Sequence, residues 1–166
     1  MKYVDMKYVE RLMLSQTFLD IRKQLDKQEQ TRAFCKHGLD HSLDVARIAQ
    51  LMNLEFGFLQ DKEEIYLSAL LHDLGRVEEY ERGIQHQKAG YEIARKLLGE
   101  IQYPLHLWEP VLQRVLEHRH LNICNEEITA DNFFWFADKR SRNCFVCQQS
   151  QDCNWKTEKK TKTIEW

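Results

Sequence analysis

The sequence predicts an all-α domain, and three observations carry that prediction. Only two prolines and six glycines interrupt 166 residues. Sustained alternation of apolar and polar residues, the mark of a half-buried strand, is hard to find. Apolar side chains instead return every three or four positions across several segments, the period of a helix with one buried face. With 43% hydrophobic and 30% charged residues, the chain has the composition of a single globular domain with a sizeable core.

Taken in order, Val4, Tyr8, Leu12, Leu14, Phe18, Ile21 and Leu25 recur among charges at roughly helical spacing, so residues 1–30 are expected to form an amphipathic cover. After a turn at Gly38, a helix is expected over 39–52, with His41, Val45, Ile48 and Met52 on one inward stripe. His37, one turn earlier, is expected at the rim. Asp61 followed by Glu64 suits a helix start and Gly75 a helix end, predicting a helix over 61–74 whose last turn aims His72 and Asp73 inward. The next helix is expected over 85–98, with His86, Gly90, Ile93 and Leu97 along one side. Pro110 suits a first helical position, and Val111, Val115 and His118 align after it, His120 less cleanly; His106 reads as a loop residue. A last long helix over 126–142 sets Asp138 among Phe134, Trp135 and Ala137. Residues 144–166 read as a cysteine-containing tail on the same domain, with a charged surface stretch from Glu158.

A formal net charge of −2 gives no broad attraction to nucleic acid or an acidic membrane. With no apolar run long enough for a membrane span and no secretory leader, the expected location is cytoplasmic. In a reducing compartment the five cysteines favour ligand or redox roles over a disulfide framework.

Five predicted helices thus each offer an inward His or Asp: His41; His72 with Asp73; His86; His118; and Asp138. A buried lone carboxylate costs several kcal/mol unless a cation or strong hydrogen bonds meet it. A whole series of such residues is the mark of a metal site inside a helical bundle. Mixed imidazole and carboxylate donors suit iron, manganese, nickel, cobalt or zinc.

In this order of motifs the chain resembles the HD-domain metal-dependent phosphohydrolases. Their first His, His-Asp pair and distant Asp match His41 in His41-Ser42-Leu43-Asp44, His72-Asp73 in Leu70-Leu71-His72-Asp73-Leu74-Gly75, and Asp138 in Ala137-Asp138-Lys139. The resemblance covers about 35–142 and implies an HD domain over 31–143. Members with two metals, among them diadenosine tetraphosphate hydrolases and cyclic dinucleotide phosphodiesterases, place two further histidines between these motifs. His86 and His118 fall there, although the Gly-Tyr-Pro signature of one cyclic-dinucleotide subgroup is missing.

By resemblance, His41, His72, Asp73 and Asp138 hold a first divalent metal, Asp73 bridges, and His86 and His118 hold a second. The implied activity is hydrolysis of a phosphoester or phosphoanhydride in a nucleotide or similar small metabolite by a metal-activated water. Arg76 and Lys139, next to the ligands in sequence, are the expected phosphate contacts, with Arg119 and Arg142 behind them. Two other readings stay open: a di-iron oxygenase on the same fold, and a non-catalytic ligand or redox sensor. No membrane or nucleic-acid partner is indicated, and self-association through the amphipathic N-terminus stays open.

The thiols form a second theme. Cys144-Phe145-Val146-Cys147 followed by Cys153 has metal-binding spacing. Cys35 precedes His41 by six residues, as Cys144 follows Asp138, so antiparallel helices would displace both the same way, roughly 9 Å from the ligand layer at 1.5 Å per residue. Cys35, Cys144, Cys147 and Cys153 are therefore candidates for a zinc or iron-sulfur site, and Cys124 reads as an ordinary thiol.

Overall fold

A computed structural model describes residues 5–119 and 127–166. Val4, His120, Cys124 and residue 126 lie outside the described residues, but the last helix is shorter than the expected 126–142: it runs only over Phe133–Arg140, because residues 127–132 form a loop and turn in which Asn132 Oδ1 accepts from the Thr129 N–H at 2.8 Å. Within them the regular elements are α1 (Lys7–Leu14), α2 (Gln16–Gln28), α3 (Leu39–Phe56), α4 (Lys62–Leu71), α5 (Arg76–Arg82), α6 (His86–Glu100), α7 (Trp108–Glu117) and α8 (Phe133–Arg140), with short 3-10 turns. The chain is all-α, as its periodicity predicts.

Helix α4 is the axis of the molecule. From Glu64 to Leu71 every residue except Tyr66 is buried, which is why this segment is apolar nearly all round rather than striped. One side carries Leu67, Leu70 and Leu71 into a core shared with Leu12, Phe18, Leu97 and Val111. The other carries Ile65 and Ala69 into a core with Val45, Met52, Phe133 and Ala137. Each of the fully buried Val, Leu, Ile, Met and Phe side chains among them contributes roughly 1.5–3 kcal/mol. Asp61 caps α4 by accepting from the Glu64 N–H at 3.1 Å, as the sequence suggests.

Several boundaries differ from expectation for local reasons. The N-terminal cover is two helices, because the Ser15 hydroxyl accepts from the Phe18 N–H at 3.2 Å and starts α2 anew. That break leaves Leu14 exposed. Free N–H groups at the start of α1 are satisfied by Glu63 Oε1, which accepts from Tyr8 at 2.5 Å and Val9 at 3.1 Å. Helix α3 runs past Met52 to Phe56 and ends at Gly57, φ 66°, in the left-handed conformation glycine tolerates. Helix α7 starts at Trp108, so Pro110 sits third in its first turn.

The largest departure is at residues 61–74. Helix α4 stops at Leu71, a turn over residues 72–75 follows, and the short α5 begins at Arg76. Gly75 is not a left-handed helix end, since its φ is −65°. It is needed for close approach: a Cβ there would lie 2.0 Å from the His86 carbonyl oxygen and 2.3 Å from the Gly90 nitrogen. Bare backbone at Gly75 lets the start of α6 rest directly on the turn that carries His72 and Asp73.

Candidate metal centre

Six side chains meet beyond the C-terminal end of α4. Its turn supplies His72 and Asp73, α3 supplies His41, the first residue of α6 is His86, the residue capping the C-terminal end of α7 is His118, and α8 supplies Asp138. All six are buried. Helical phase explains His41, which shares its inward stripe with Val45, Ile48 and Met52, all buried.

Each of the four histidines has an acceptor within reach of its Nδ1. His72 Nδ1 donates to the Ala69 carbonyl at 2.7 Å and His118 Nδ1 to the Val115 carbonyl at 2.7 Å. His86 Nδ1 donates to Glu79 Oε2 at 3.0 Å. The Ser141 hydroxyl gives its proton to the Asp138 carbonyl at 2.7 Å and so accepts from His41 Nδ1 at 3.1 Å. With the proton on Nδ1, each ring in its neutral form turns an Nε2 lone pair inward.

Those lone pairs converge on other acceptors. His86 Nε2 and His118 Nε2 lie 3.1 Å apart. His41 Nε2 lies 3.3 Å from Asp138 Oδ1 and 3.5 Å from Asp73 Oδ2, and His72 Nε2 lies 3.0 Å from Asp73 Oδ2. Neither His41 Nε2 nor His72 Nε2 has an aligned hydrogen-bond partner, although both are buried. Buried acceptors facing acceptors are costly unless a proton or a metal cation lies among them. These residues therefore fit divalent metal ions.

Asp73 divides its two oxygens between two groups. Oδ2 faces His41 and His72, whereas Oδ1 lies 3.7 Å from His86 Nε2 and 3.8 Å from His118 Nε2. Candidate ligand atoms within 4.8 Å of one another accordingly form two groups, His41/His72/Asp73 and Asp73/His86/His118. Arg76 Nε donates to Asp73 Oδ1 at 2.9 Å and fixes the carboxylate's rotation. Burial pushes the Asp73 pKa up, but His72 and Arg76 outweigh it and hold Asp73 ionised well below the usual carboxylate range. Burial also opposes ionisation of Asp138, where Lys139 and His41 prevail. Burial, reinforced by His72, drops His118 to about 3 and keeps its ring neutral. At His72 burial is overcome by Asp73, which raises the ring's pKa.

The expected phosphate contacts have prior partners. Arg76 is engaged with Asp73 and with Glu79, the latter at 3.2 Å. Lys139 pairs with Asp138 and lies over the rings of Trp135 and Trp155. Both still line a cavity of about 360 Å³ at the centre, with Arg119, Arg142, Lys156 and Lys159. Arg142 is buried, donates to the Lys36 carbonyl at 2.6 Å, and leaves its Nε without a partner. Trp155, Lys156 and Lys159 belong to the tail, where no periodicity announces a role. A second cavity, about 520 Å³, shares His118 and Trp135 with the first and takes in the exposed His106.

Sequence reasoning also missed Glu79 and misplaced His37. Glu79 orients His86, Arg76 and Arg119 (3.4 Å) together from a seven-residue helix too short to show a period. His37 is buried, not at the rim. Glu29 accepts its ring N–H, its backbone N–H at 2.6 Å and the Tyr80 hydroxyl at 2.6 Å. Burial brings the His37 pKa down to about 4 against the pull of Asp73 and Glu29. Between about 6.5 and 4 the unfolded chain therefore binds this proton and the folded chain does not. Stability of chelator-treated protein should fall by about 3 kcal/mol as pH drops through that window, at 1.36 kcal/mol per unit. Glu29, whose pKa His37 holds at about 2 against burial, extends the loss below its ordinary 4.5. Urea unfolding at about pH 7 and pH 4.5 measures the effect, and His37→Gln should flatten it; equal stabilities in the parent protein would contradict the assignment.

The four candidate thiols Cys35, Cys144, Cys147 and Cys153 are free and half-buried, and none belongs to the two groups above. Cys35 and Cys144 lie beyond the ends of α3 and α8, so the helical rise does not measure their offset from the ligands. No helix among the described residues is long and apolar enough to cross a membrane.

A family profile described as HD domain matches residues 38–143. An uncharacterized protein of Clostridium beijerinckii is 42% identical over 141 residues, 83% of this chain and 85% of that protein. Ribonuclease Y of Pseudothermotoga lettingae is 35% identical over 77 residues, 46% of this chain and 15% of that enzyme. Ribonuclease Y of Petrotoga mobilis is 32% identical over 108 residues, 61% of this chain and 20% of that enzyme. The chain thus spans a fifth or less of these two ribonucleases, and no solved structure matches it. The match runs across the segment that carries His41, His72, Asp73, His86, His118 and Asp138, and by it this chain belongs to the HD domain family.

Proposed function

We propose that this chain is a metal-dependent phosphohydrolase that cleaves a phosphoester or phosphoanhydride bond of a nucleotide or similar small phosphorylated metabolite. The observation that carries the reading is the convergence of four Nε2 lone pairs on a carboxylate whose two oxygens face different histidine pairs. In this reading His41, His72, Asp73 and Asp138 hold one divalent ion, Asp73 bridges, and His86 and His118 complete the second position. Ions bound there supply Lewis-acid stabilisation of phosphoryl oxygens and lower the pKa of a water to make it an attacking group at neutral pH.

The chain's own residues do the rest. Arg76 holds Asp73 in its bridging orientation, and Glu79 holds the His86 ring with its Nε2 inward. Arg142, with an unpartnered Nε, and Lys139, Lys156 and Lys159 line the cavity as cations for a phosphate group. A cavity near 360 Å³ is of small-ligand size, which favours a nucleotide-sized substrate over a long polymer. The ribonuclease name of two relatives makes short oligoribonucleotides a necessary comparison.

The test is phosphate or nucleotide release under nitrogen by chelator-stripped protein reloaded with Mn, Co, Ni, Fe or Zn. Mononucleotides, dinucleoside polyphosphates, cyclic dinucleotides and oligoribonucleotides form the substrate panel. Turnover should appear with at least one metal and vanish on chelation. A loaded protein inert on the whole panel, or one that consumes oxygen in its reduced di-iron form, would overturn the proposal.

A further inference from the structure

The thiols lie outside the chemistry above, yet the fold gathers them. Cys35 comes just before α3 and Cys144 just after α8, and these two chain ends are stitched together. Arg142 donates to the Lys36 carbonyl at 2.6 Å, Ser141 accepts from His41, and Arg32 Nε donates to the Cys35 carbonyl at 2.9 Å. Cys144–Val146 is a 3-10 turn closed by the Cys147 N–H to the Cys144 carbonyl at 3.3 Å, and the Ser150 N–H then donates to the Cys147 carbonyl at 3.0 Å. This places the two thiols of the C-x-x-C on one tight turn, with a half-buried Cys153 following in the same tail. Burial raises the Cys35 thiol's pKa, Arg142 opposes it, and Cys144, Cys147 and Cys153 add to the rise. Crowded thiolates repel, and a divalent cation relieves that repulsion.

We infer that Cys35, Cys144, Cys147 and Cys153 form a second metal centre, a four-thiolate site for zinc or an iron-sulfur cluster, separate from the His/Asp centre. Its role is mechanical. It ties the α3 entrance to the segment that carries Trp155, Lys156 and Lys159 into the wall of the cavity. Because its donors are all sulfur, it takes a thiophilic ion whatever occupies the nitrogen and oxygen donors.

The experiment is X-ray absorption and metal analysis of the anaerobically purified full chain. Zinc, or iron with inorganic sulfide, should be present with sulfur neighbours near 2.3 Å for zinc. That metal should persist in Asp73→Ala and disappear from Cys144→Ser/Cys147→Ser. In the parent protein, iodoacetamide labelling localised by mass spectrometry should spare these four cysteines until the metal is removed. No sulfur-bound metal, free alkylation of all four thiols under native conditions, or a disulfide between any two would overturn the inference. This readout does not depend on hydrolysis, so a failure here is distinct from a failure of the proposed activity.

Discussion

Asp73→Ala protein is expected to lose divalent metal from both histidine groups and, with it, phosphate release. The reason lies in the division of its carboxylate: one oxygen serves His41 and His72, the other His86 and His118, so one truncation removes the anion from both. The drop in metal affinity should exceed the roughly 10–100-fold cost of removing an outer hydrogen-bond partner. Glu79→Gln supplies that comparison. It weakens the hold on His86 and on Arg76 and Arg119 without removing a ligand, and should cost about 10–100-fold in affinity for the second ion while leaving the first in place. Calorimetric titration with Mn or Co, run beside the hydrolysis assay, reads both. Two bound ions in Asp73→Ala would refute the bridging role, and equal losses in the two variants would refute the ranking.

Gly75→Ala should be the most damaging single methyl group in the chain. Its Cβ would meet the His86 carbonyl oxygen at 2.0 Å, the Gly90 nitrogen at 2.3 Å and the Gly90 Cα at 2.8 Å, all of them backbone atoms that no rotamer change can clear. Helix α6 must move off the turn, at the upper end of the 1–3 kcal/mol typical of overpacking or beyond it. About 3 kcal/mol corresponds to a fall in Tm of roughly 6–12 °C for a chain of this size. Because His86 is the first residue of α6, its ring moves too, and second-ion binding weakens in step. Gly90→Ala is the control: its Cβ would meet the His72 carbonyl oxygen and Val115 Cγ1 at 3.4 Å, and alanine favours the helix by about 1 kcal/mol. Its Tm should stay within a few degrees of the parent, and equal melting of the two variants would show that the close approach carries no weight.

Side chains set among phased or crowded apolar neighbours were legible in the sequence. His41 could be assigned inward because Val45, Ile48 and Met52 set the phase of α3, and Asp138 because aromatic neighbours crowd it on α8. The groups that orient these ligands were not legible. Glu79 lies on a helix of seven residues, Glu29 meets Tyr80 across 51 positions, and Ser141 meets His41 across 100. Such pairings depend on how elements cross, and no local period encodes a crossing. Gly75 shows the same limit: a glycine after an apolar helix reads as a left-handed end, whereas here it is the floor on which another helix rests. Arg76 was picked out as basic and near the ligands, but the choice between an anionic substrate and Asp73 depended on a turn at residues 72–75 that the continuous apolar run conceals.

The hydrogen bond between Ser141 and His41 bears on how the protein matures. Asp138 and the residue that orients His41 are made about a hundred positions after His41 itself, so a nascent chain carries His41, His72 and Asp73 long before their last partners exist. Closing so long a loop is slow, and it is complete only when α8 docks on α3. An ion that prefers the completed set therefore stabilises finished molecules over truncated or half-docked ones. By mass action that preference is about 2.7 kcal/mol at a hundredfold excess over Kd.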